Sequence, residues 1–195
     1  ITGNNFNYKN ILASAKILRK KITKIKVPAN SIDTCGTGGD GKQTLNISTA
    51  AAIVLADMGI NVVKHGNKSV TSKCGSADVL ERLGININDS RKNLEKKIIK
   101  NKFIFLFAPN YHSAMKNVAV IRKNLPFKTI FNLLGPLINP GFVKKQIIGI
   151  FDKNLLSDYI KVLKSLGHKK AWVFHSADGL DEISIFSKTK VYELN

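Results

Sequence analysis

The chain has 195 residues, 44% of them apolar, enough for one sizeable packed domain or for one plus part of another. Its net charge is +18, yet only Arg19, Arg82, Arg91 and Arg122 are arginine and the lysines are scattered. A chain-wide lysine bias therefore outweighs a polyanion-binding surface, and no apolar run approaches a membrane span, so nucleic acid and membrane are not the expected partners.

Cys35 and Cys74 form neither a CxxC motif nor a disulfide framework, which makes a reducing, cytoplasmic setting the expectation. No secretory signal is visible at the start. The first residue is Ile1 and not Met, so the sequence is expected to be a piece of a longer protein.

In chain order, Ile11, Leu12, Ala15, Leu18, Ile22 and Ile25 recur at helical spacing and predict one amphipathic helix ended by Val27-Pro28. The apolar approach through Ile32 reads as the end of a strand. A glycine-rich loop follows, with Gly36, Gly38 and Gly39 inside four positions. The polar cluster Thr44 to Thr49 opens a helix over 49–58 that stops at Gly59. Residues 60–63 read as a strand, Lys64-His65-Gly66-Asn67 as a turn, 77–83 as a short helix and 94–99 as a helix capped near Ser90. Five consecutive apolar residues, 103–107, read as a strand buried on both faces and stopped by Pro109.

Helices are expected over 111–125, 129–134 and 155–166, with strands over 146–151 and 171–174. Residues 182–186 and 190–194 alternate like edge strands or a hairpin. Strands alternating with helices predict an α/β fold, a mainly parallel central sheet flanked by helices.

A strand, a glycine loop and a hydroxyl-rich helix start form a phosphate cradle: backbone N–H groups face the anion and the helix dipole favours it. No Gly-Lys-Ser/Thr closes the loop and the G-x-G-x-x-G spacing fails, which excludes the two commonest nucleotide motifs. Lys64 offers a point charge after the next strand, and Ser69, Thr71 and Ser72 offer neutral donors. Asp181-Glu182 suits Mg²⁺, which accepts one or two carboxylates and keeps waters; a solvated acidic turn is the competing reading. His112 reads as structural on spacing alone.

Taken together, Gly36-Thr37-Gly38-Gly39-Asp40, Asn46-x-Ser48-Thr49, Lys64-His65-Gly66-Asn67, Gly75-Ser76-Ala77-Asp78, the run from Phe131 to Pro140 and Asp178-Gly179-Leu180-Asp181-Glu182 resemble, in this order, the anthranilate phosphoribosyltransferases of tryptophan biosynthesis. The resemblance covers nearly the whole chain. It implies transfer of phosphoribose from phosphoribosyl pyrophosphate to the amine of anthranilate, with Mg²⁺, two ions, as cofactor.

By the same resemblance, Gly36, Gly39, Asp40, Thr44, Asn46, Ile47, Ser48, Thr49, Lys64, His65, Gly66, Asn67, Ser72 and Ser76 line the phosphoribosyl pyrophosphate site. Gly36, Asn67, His112 and Arg122 contact anthranilate, and Ser48, Asp181 and Glu182 bind metal. No covalent nucleophile is expected. Residues 1–27 correspond to the last part of a small helical domain that forms a homodimer, and residues 28–195 to an incomplete α/β domain. Ser113 and Val120 stand where the family usually has proline. A pyrimidine nucleoside phosphorylase and a non-catalytic nucleic-acid binder of the same fold are the alternatives.

Overall fold

In a computed structural model of the chain, residues 6–42, 44–68, 75–115, 125 and 127–195 are described. Helix α1 (Tyr8–Lys20) is capped by Asn7, whose side chain accepts from the Asn10 N–H at 3.1 Å. Strand β1 (Ile32–Gly36), helix α2 (Ile47–Asp57) and strand β2 (Val62–Gly66) follow. Helices α3 (Ser76–Arg82) and α4 (Arg91–Asn101) lead into strand β3 (Phe103–Phe107). Two short helices, α5 (Ala108–Tyr111) and α6 (Phe131–Leu134), precede strand β4 (Lys145–Gly149). Helix α7 (Leu156–Ser165) and strands β5 (Lys170–Ser176) and β6 (Thr189–Leu194) complete the order.

The six strands form one sheet in the order β3-β2-β1-β4-β5-β6. All neighbours are parallel except β6, which runs antiparallel to β5. The mainly parallel α/β architecture expected from the alternating pattern is therefore present. Chain order reverses between β1 and β4. In open α/β sheets that reversal opens a crevice at the carboxyl ends of the strands.

Both faces of the sheet are covered, as a parallel sheet requires. On β3, Phe103 and Phe105 pack toward α2 and α3, whereas Ile104 and Leu106 pack with Leu94 and Ile98 of α4. The largest core joins Ile11 and Ala15 of α1 to Leu133 of α6, Ile148 of β4, Tyr159 and Val162 of α7 and Val173 of β5. Tyr159, fully buried, donates its hydroxyl to the Leu133 carbonyl at 2.7 Å. A buried hydroxyl without such a partner would be costly.

Several boundaries differ from the sequence expectation, each for a tertiary reason. Helix α1 ends at Lys20, well before Val27-Pro28. Ile22 and Ile25 are still buried, but in an irregular segment whose N–H groups go elsewhere: Thr23 donates to the Tyr111 carbonyl and Ile25 to that of Pro140. Strand β1 begins at Ile32 instead of ending there and runs into the glycines, paired with β4 through Gly36 and Gly149. Strand β2 likewise continues through Lys64, His65 and Gly66, which were expected to form a turn.

The helix expected over 111–125 is interrupted at His112, whose backbone leaves helical geometry as the C-cap of α5; residues 116–124 lie outside the described set. Pro109 sits in the first turn of α5, a position that needs no N–H, so it starts a helix as well as stopping a strand. Gly135-Pro136 does not break the chain path either, because a 3₁₀ turn over Gly135–Ile138 continues α6. Only Thr189–Leu194 of the tail is a strand. Residues 182–186 form a loop, tied down where the Ser184 N–H donates to Ser176 Oγ at 3.1 Å.

One close approach sets the shape of the sheet edge. A Cβ placed on Gly149, at the end of β4, would lie 1.6 Å from the Asp181 carbonyl oxygen, so backbone would have to move. Gly149→Ala should cost about 3 kcal/mol of unfolding free energy, the upper part of the overpacking range. Gly135→Ala is the control: it has helical dihedrals and open space around its Cβ position, and should be neutral or slightly stabilising. Urea unfolding of the two variants checks both.

Candidate active site

Three segments meet at the β1/β4 crevice. The first is the glycine loop after β1. Gly38 and Gly39 have φ of +65° and +78°, a left-handed conformation that suits residues without a Cβ. The loop is fastened to β4, since the Thr37 N–H donates to the Gly149 carbonyl at 2.9 Å and the Phe151 N–H to Thr37 Oγ1 at 3.0 Å. The second is the start of α2, where the Asn46 side chain caps the helix by accepting from the Thr49 N–H at 3.2 Å. The third is the turn after β5. There Asp181 reaches across to accept from the Gly38 N–H at 2.8 Å. Gly36 leaves room for it, because a Cβ there would lie 3.1 Å from Asp181 Oδ2.

Beneath the crevice lies Lys64, a lysine with almost no exposure. Its ammonium donates to the Thr34 carbonyl and to Ser48 Oγ, the latter at 3.2 Å. Burial pulls its pKa down, and the nearby Asp33 carboxylate opposes that. Asp33 is also fully buried. It accepts from Asn139 Nδ2 at 2.9 Å, from the His65 N–H at 3.2 Å and from Gln146 Nε2 at 3.3 Å. Burial nevertheless raises its pKa.

The rim is acidic. Burial and then repulsion from Asp40 raise Asp181 to about 6. Burial and then repulsion from Asp181 raise Glu182 to about 7, against the pull of Lys64 and the Ser48 N–H. Asp40 Oδ2 is buried and has no hydrogen-bond partner among the described residues. Carboxylates crowded in this way are short of positive charge. No cluster of three or more His, Cys, Asp or Glu arranged as a closed metal site occurs among the described residues. Mg²⁺ does not need one, since it completes its shell with water and phosphate oxygens. The chemistry of Asp40, Asp181, Glu182 and Ser48 therefore fits magnesium bound together with a polyphosphate. An open hollow beside them is lined by Gly41, Lys42, Thr44, Asp178 and Leu180.

The end of β2 extends this edge. The Ala77 N–H donates to the Asn67 carbonyl at 3.2 Å, and a Cβ on Gly66 would lie 3.2 Å from that of Ser76. Gly66, Asn67 and Ser76 are thus neighbours. His65 turns away from the glycine loop, with Nε2 3.0 Å from Nε2 of His112. Burial holds both rings neutral, at about 3 and about 4. The Cys35 thiol is pushed well up by burial and stays protonated. Ser69, Thr71, Ser72, Cys74, Val120 and Arg122 lie outside the described residues.

Gly36, Asp40, Ser48, Lys64, Asp181 and Glu182 are therefore brought together around one crevice, with Thr44 on the adjoining hollow. Sequence reasoning missed Asp33, Asn139 and Gln146, which lock the strand ends below it. An acidic residue inside an apolar strand, in a chain so poor in acids, was the available signal for Asp33.

A mainly parallel sheet with a glycine loop, a buried lysine and an acidic rim at its strand-order reversal defines the class of α/β domain to which the chain belongs. The chain belongs to the glycosyl transferase family: the family's a/b domain matches residues 28–195. It is 56% identical over 178 residues to the anthranilate phosphoribosyltransferase of Pelagibacter ubique, a match covering 91% of this chain and 54% of that protein. The chain spans about half the length of the curated relatives it matches.

Among solved structures it is similar to anthranilate phosphoribosyltransferase from Thermus thermophilus, with a TM-score of 0.90, 38% identity and coverage of 96% of this chain and 56% of that one. The Saccharomyces cerevisiae enzyme in complex with PRPP and Mg gives a TM-score of 0.88 and 34% identity, covering 97% and 55%. No helix among the described residues is long and apolar enough to cross a membrane.

The raised carboxylates give a signed pH prediction. Their folded pKa values lie above the unfolded ones. Below about pH 4 both states are protonated and nothing is lost; as pH rises through about 6 to 7 the folded protein is destabilised. A two-unit shift corresponds to about 3 kcal/mol, counted once for the coupled pair. Asp181→Asn with Glu182→Gln should therefore melt several degrees higher than the parent at pH 8 without divalent ions, and equally at pH 4. Magnesium should raise the melting temperature of the parent at pH 8 and leave the double variant unmoved. Thermal unfolding with and without MgCl₂ checks this.

Proposed function

We propose that the protein is an anthranilate phosphoribosyltransferase, transferring 5-phosphoribose from phosphoribosyl pyrophosphate to the amine of anthranilate. The observation that carries this reading is the meeting of the glycine loop, the α2 start, Lys64 and the Asp181-Glu182 turn at one crevice. Relatives and structural neighbours bearing that activity support it.

In the reaction, the C1–O bond to diphosphate breaks, the amine nitrogen bonds to C1, and one amine proton leaves. Departure of diphosphate leaves positive charge on the ribose. The backbone amides of Gly36 to Gly39 and the N-terminus of α2 offer aligned donors to the phosphate oxygens, already oriented before charge develops. Asp40, Thr44, Asn46, Ile47, Ser48, Thr49, Lys64, Gly66, Asn67, Ser72 and Ser76 complete the donor site in this reading. Ser48, Asp181 and Glu182 would hold magnesium, two ions, whose charge when bound stabilises the departing diphosphate.

Arg122 is assigned to the anthranilate carboxylate, since a planar guanidinium forks onto a carboxylate. Asn67 and His112 join it at the acceptor. An aromatic amine is unprotonated at neutral pH, so holding the two substrates in line is the main task. Cys35 takes no part.

Loss of anthranilate fluorescence on incubation of the full-length protein tests the assignment. The loss is expected only when phosphoribosyl pyrophosphate and Mg²⁺ are both present. Phosphate-dependent cleavage of uridine or thymidine, with anthranilate untouched, would overturn it.

A further inference from the structure

The sheet is split at its centre. β1 pairs with β4 from Ile32 through Gly36, and β2 pairs with β3 from Val62 through Gly66, but β1 and β2 pair only at Ile32 and Val62. A parallel ladder dictates what the next rung would be. The Ile32 N–H donates to the Asn61 carbonyl at 2.9 Å. The following bonds would therefore run from the Thr34 N–H to the Val63 carbonyl and from the His65 N–H to the Thr34 carbonyl. No such pairing is formed.

Side chains bond the groups that those rungs would use. The Val63 carbonyl accepts from Asn139 Nδ2 at 2.9 Å, and the same amide donates to Asp33 Oδ2 at 2.9 Å. The His65 N–H donates to Asp33 Oδ1 at 3.2 Å. The Thr34 carbonyl accepts from the Lys64 ammonium, which also donates to Ser48 Oγ at 3.2 Å. Asn139 Oδ1 accepts from the Gly141 N–H at 2.8 Å, so donors and acceptors on both sides fix the amide's orientation. Lys64 thus stands between two anchored neighbours, Val63 held by Asn139 and His65 held by Asp33.

An unbroken ladder would satisfy the same backbone groups without burying an acid, an amide and an ammonium. Asp33, Asn139 and Lys64 are each at most 1% exposed. We propose that Asp33 and Asn139 are positioning residues: together they wedge β1 from β2 beyond Ile32 and Val62, so that the Thr34 carbonyl stays on Lys64 and the ammonium stays at Ser48, beneath the glycine loop. The competing arrangement is the closed rung. There β2 draws up to β1 at ladder spacing, His65 takes the Thr34 carbonyl, and the ammonium leaves Ser48. The wedge rests on hydrogen bonds alone. Its effect on the phosphoribosyl donor rests on the proposed function, which puts Lys64 in the donor site.

Asp33→Asn keeps the shape of the side chain, but one of its two arms becomes a donor. It can no longer accept from both the His65 N–H and Asn139 Nδ2. Crystal structures of the full-length parent and variant read the wedge directly. The parent should show the hydrogen bonds described above. In the variant, β1–β2 pairing should extend to Thr34 and Lys64, with the His65 N–H on the Thr34 carbonyl and the ammonium off Ser48 Oγ. The KM for phosphoribosyl pyrophosphate should rise about tenfold, with little change in the KM for anthranilate. Asn139→Ala should act in the same direction, and Asp33→Asn alone decides if that variant does not fold.

Tyr159→Phe is the control for lost stability. It removes a buried hydrogen bond to the Leu133 carbonyl, away from the split, and should lower the melting temperature without moving either KM. An Asp33→Asn structure with β1 and β2 still paired only at Ile32 and Val62, and Lys64 still on the Thr34 carbonyl, would overturn the proposal. So would a phosphoribosyl pyrophosphate KM that moves no more than in Tyr159→Phe. If the full-length parent turns over no anthranilate, the donor-site half falls with the assigned activity. A closed rung in the variant would still establish the wedge.

Discussion

A buried ammonium is the constraint on which this molecule turns. Lys64 gives up its hydration, and the structure answers with the Thr34 carbonyl, Ser48 Oγ and the Asp33 carboxylate nearby. Thr34 and Asp33 lie on β1 and Ser48 opens α2, so satisfying the lysine of β2 aligns all three elements. Asp33 in turn needs partners, which Asn139, Gln146 and the His65 amide supply. The crevice is therefore built over a polar keel within an otherwise apolar sheet.

Charge in the crevice is layered. Below are Lys64 and the α2 N-terminus; above are Asp40, Asp181 and Glu182. Neither layer is comfortable alone: burial lowers the pKa of the cation and raises those of Asp181 and Glu182. A bare phosphate would meet the acids and a bare divalent ion would meet the lysine. A metal-bound polyphosphate carries both signs of charge and would satisfy both layers. This is preorganisation of the kind that phosphoryl and glycosyl transfer exploit, with cost carried by the fold and not by the reaction step.

Much of this was legible in the residues. Alternation of strands and helices gave the sheet, five apolar residues gave β3, and clustered glycines with a hydroxyl-rich helix start gave the cradle. What misled was polarity within strands. Asp33, Lys64 and His65 look like loop residues because their partners, Asn139 and His112 among them, are far away in sequence. The same blindness ended α1 too late: Ile22 and Ile25 keep helical spacing, but their irregular segment donates its N–H groups to the carbonyls of Tyr111 and Pro140. Local periodicity records which residues are buried. It does not record which backbone hydrogen bonds bury them.

The hydrogen bond from the Gly38 amide to Asp181 joins positions 143 residues apart. The crevice therefore exists only when the turn after β5 is docked against the loop that follows β1. Whatever binds there recognises finished protein alone, and by mass action holds it in that form.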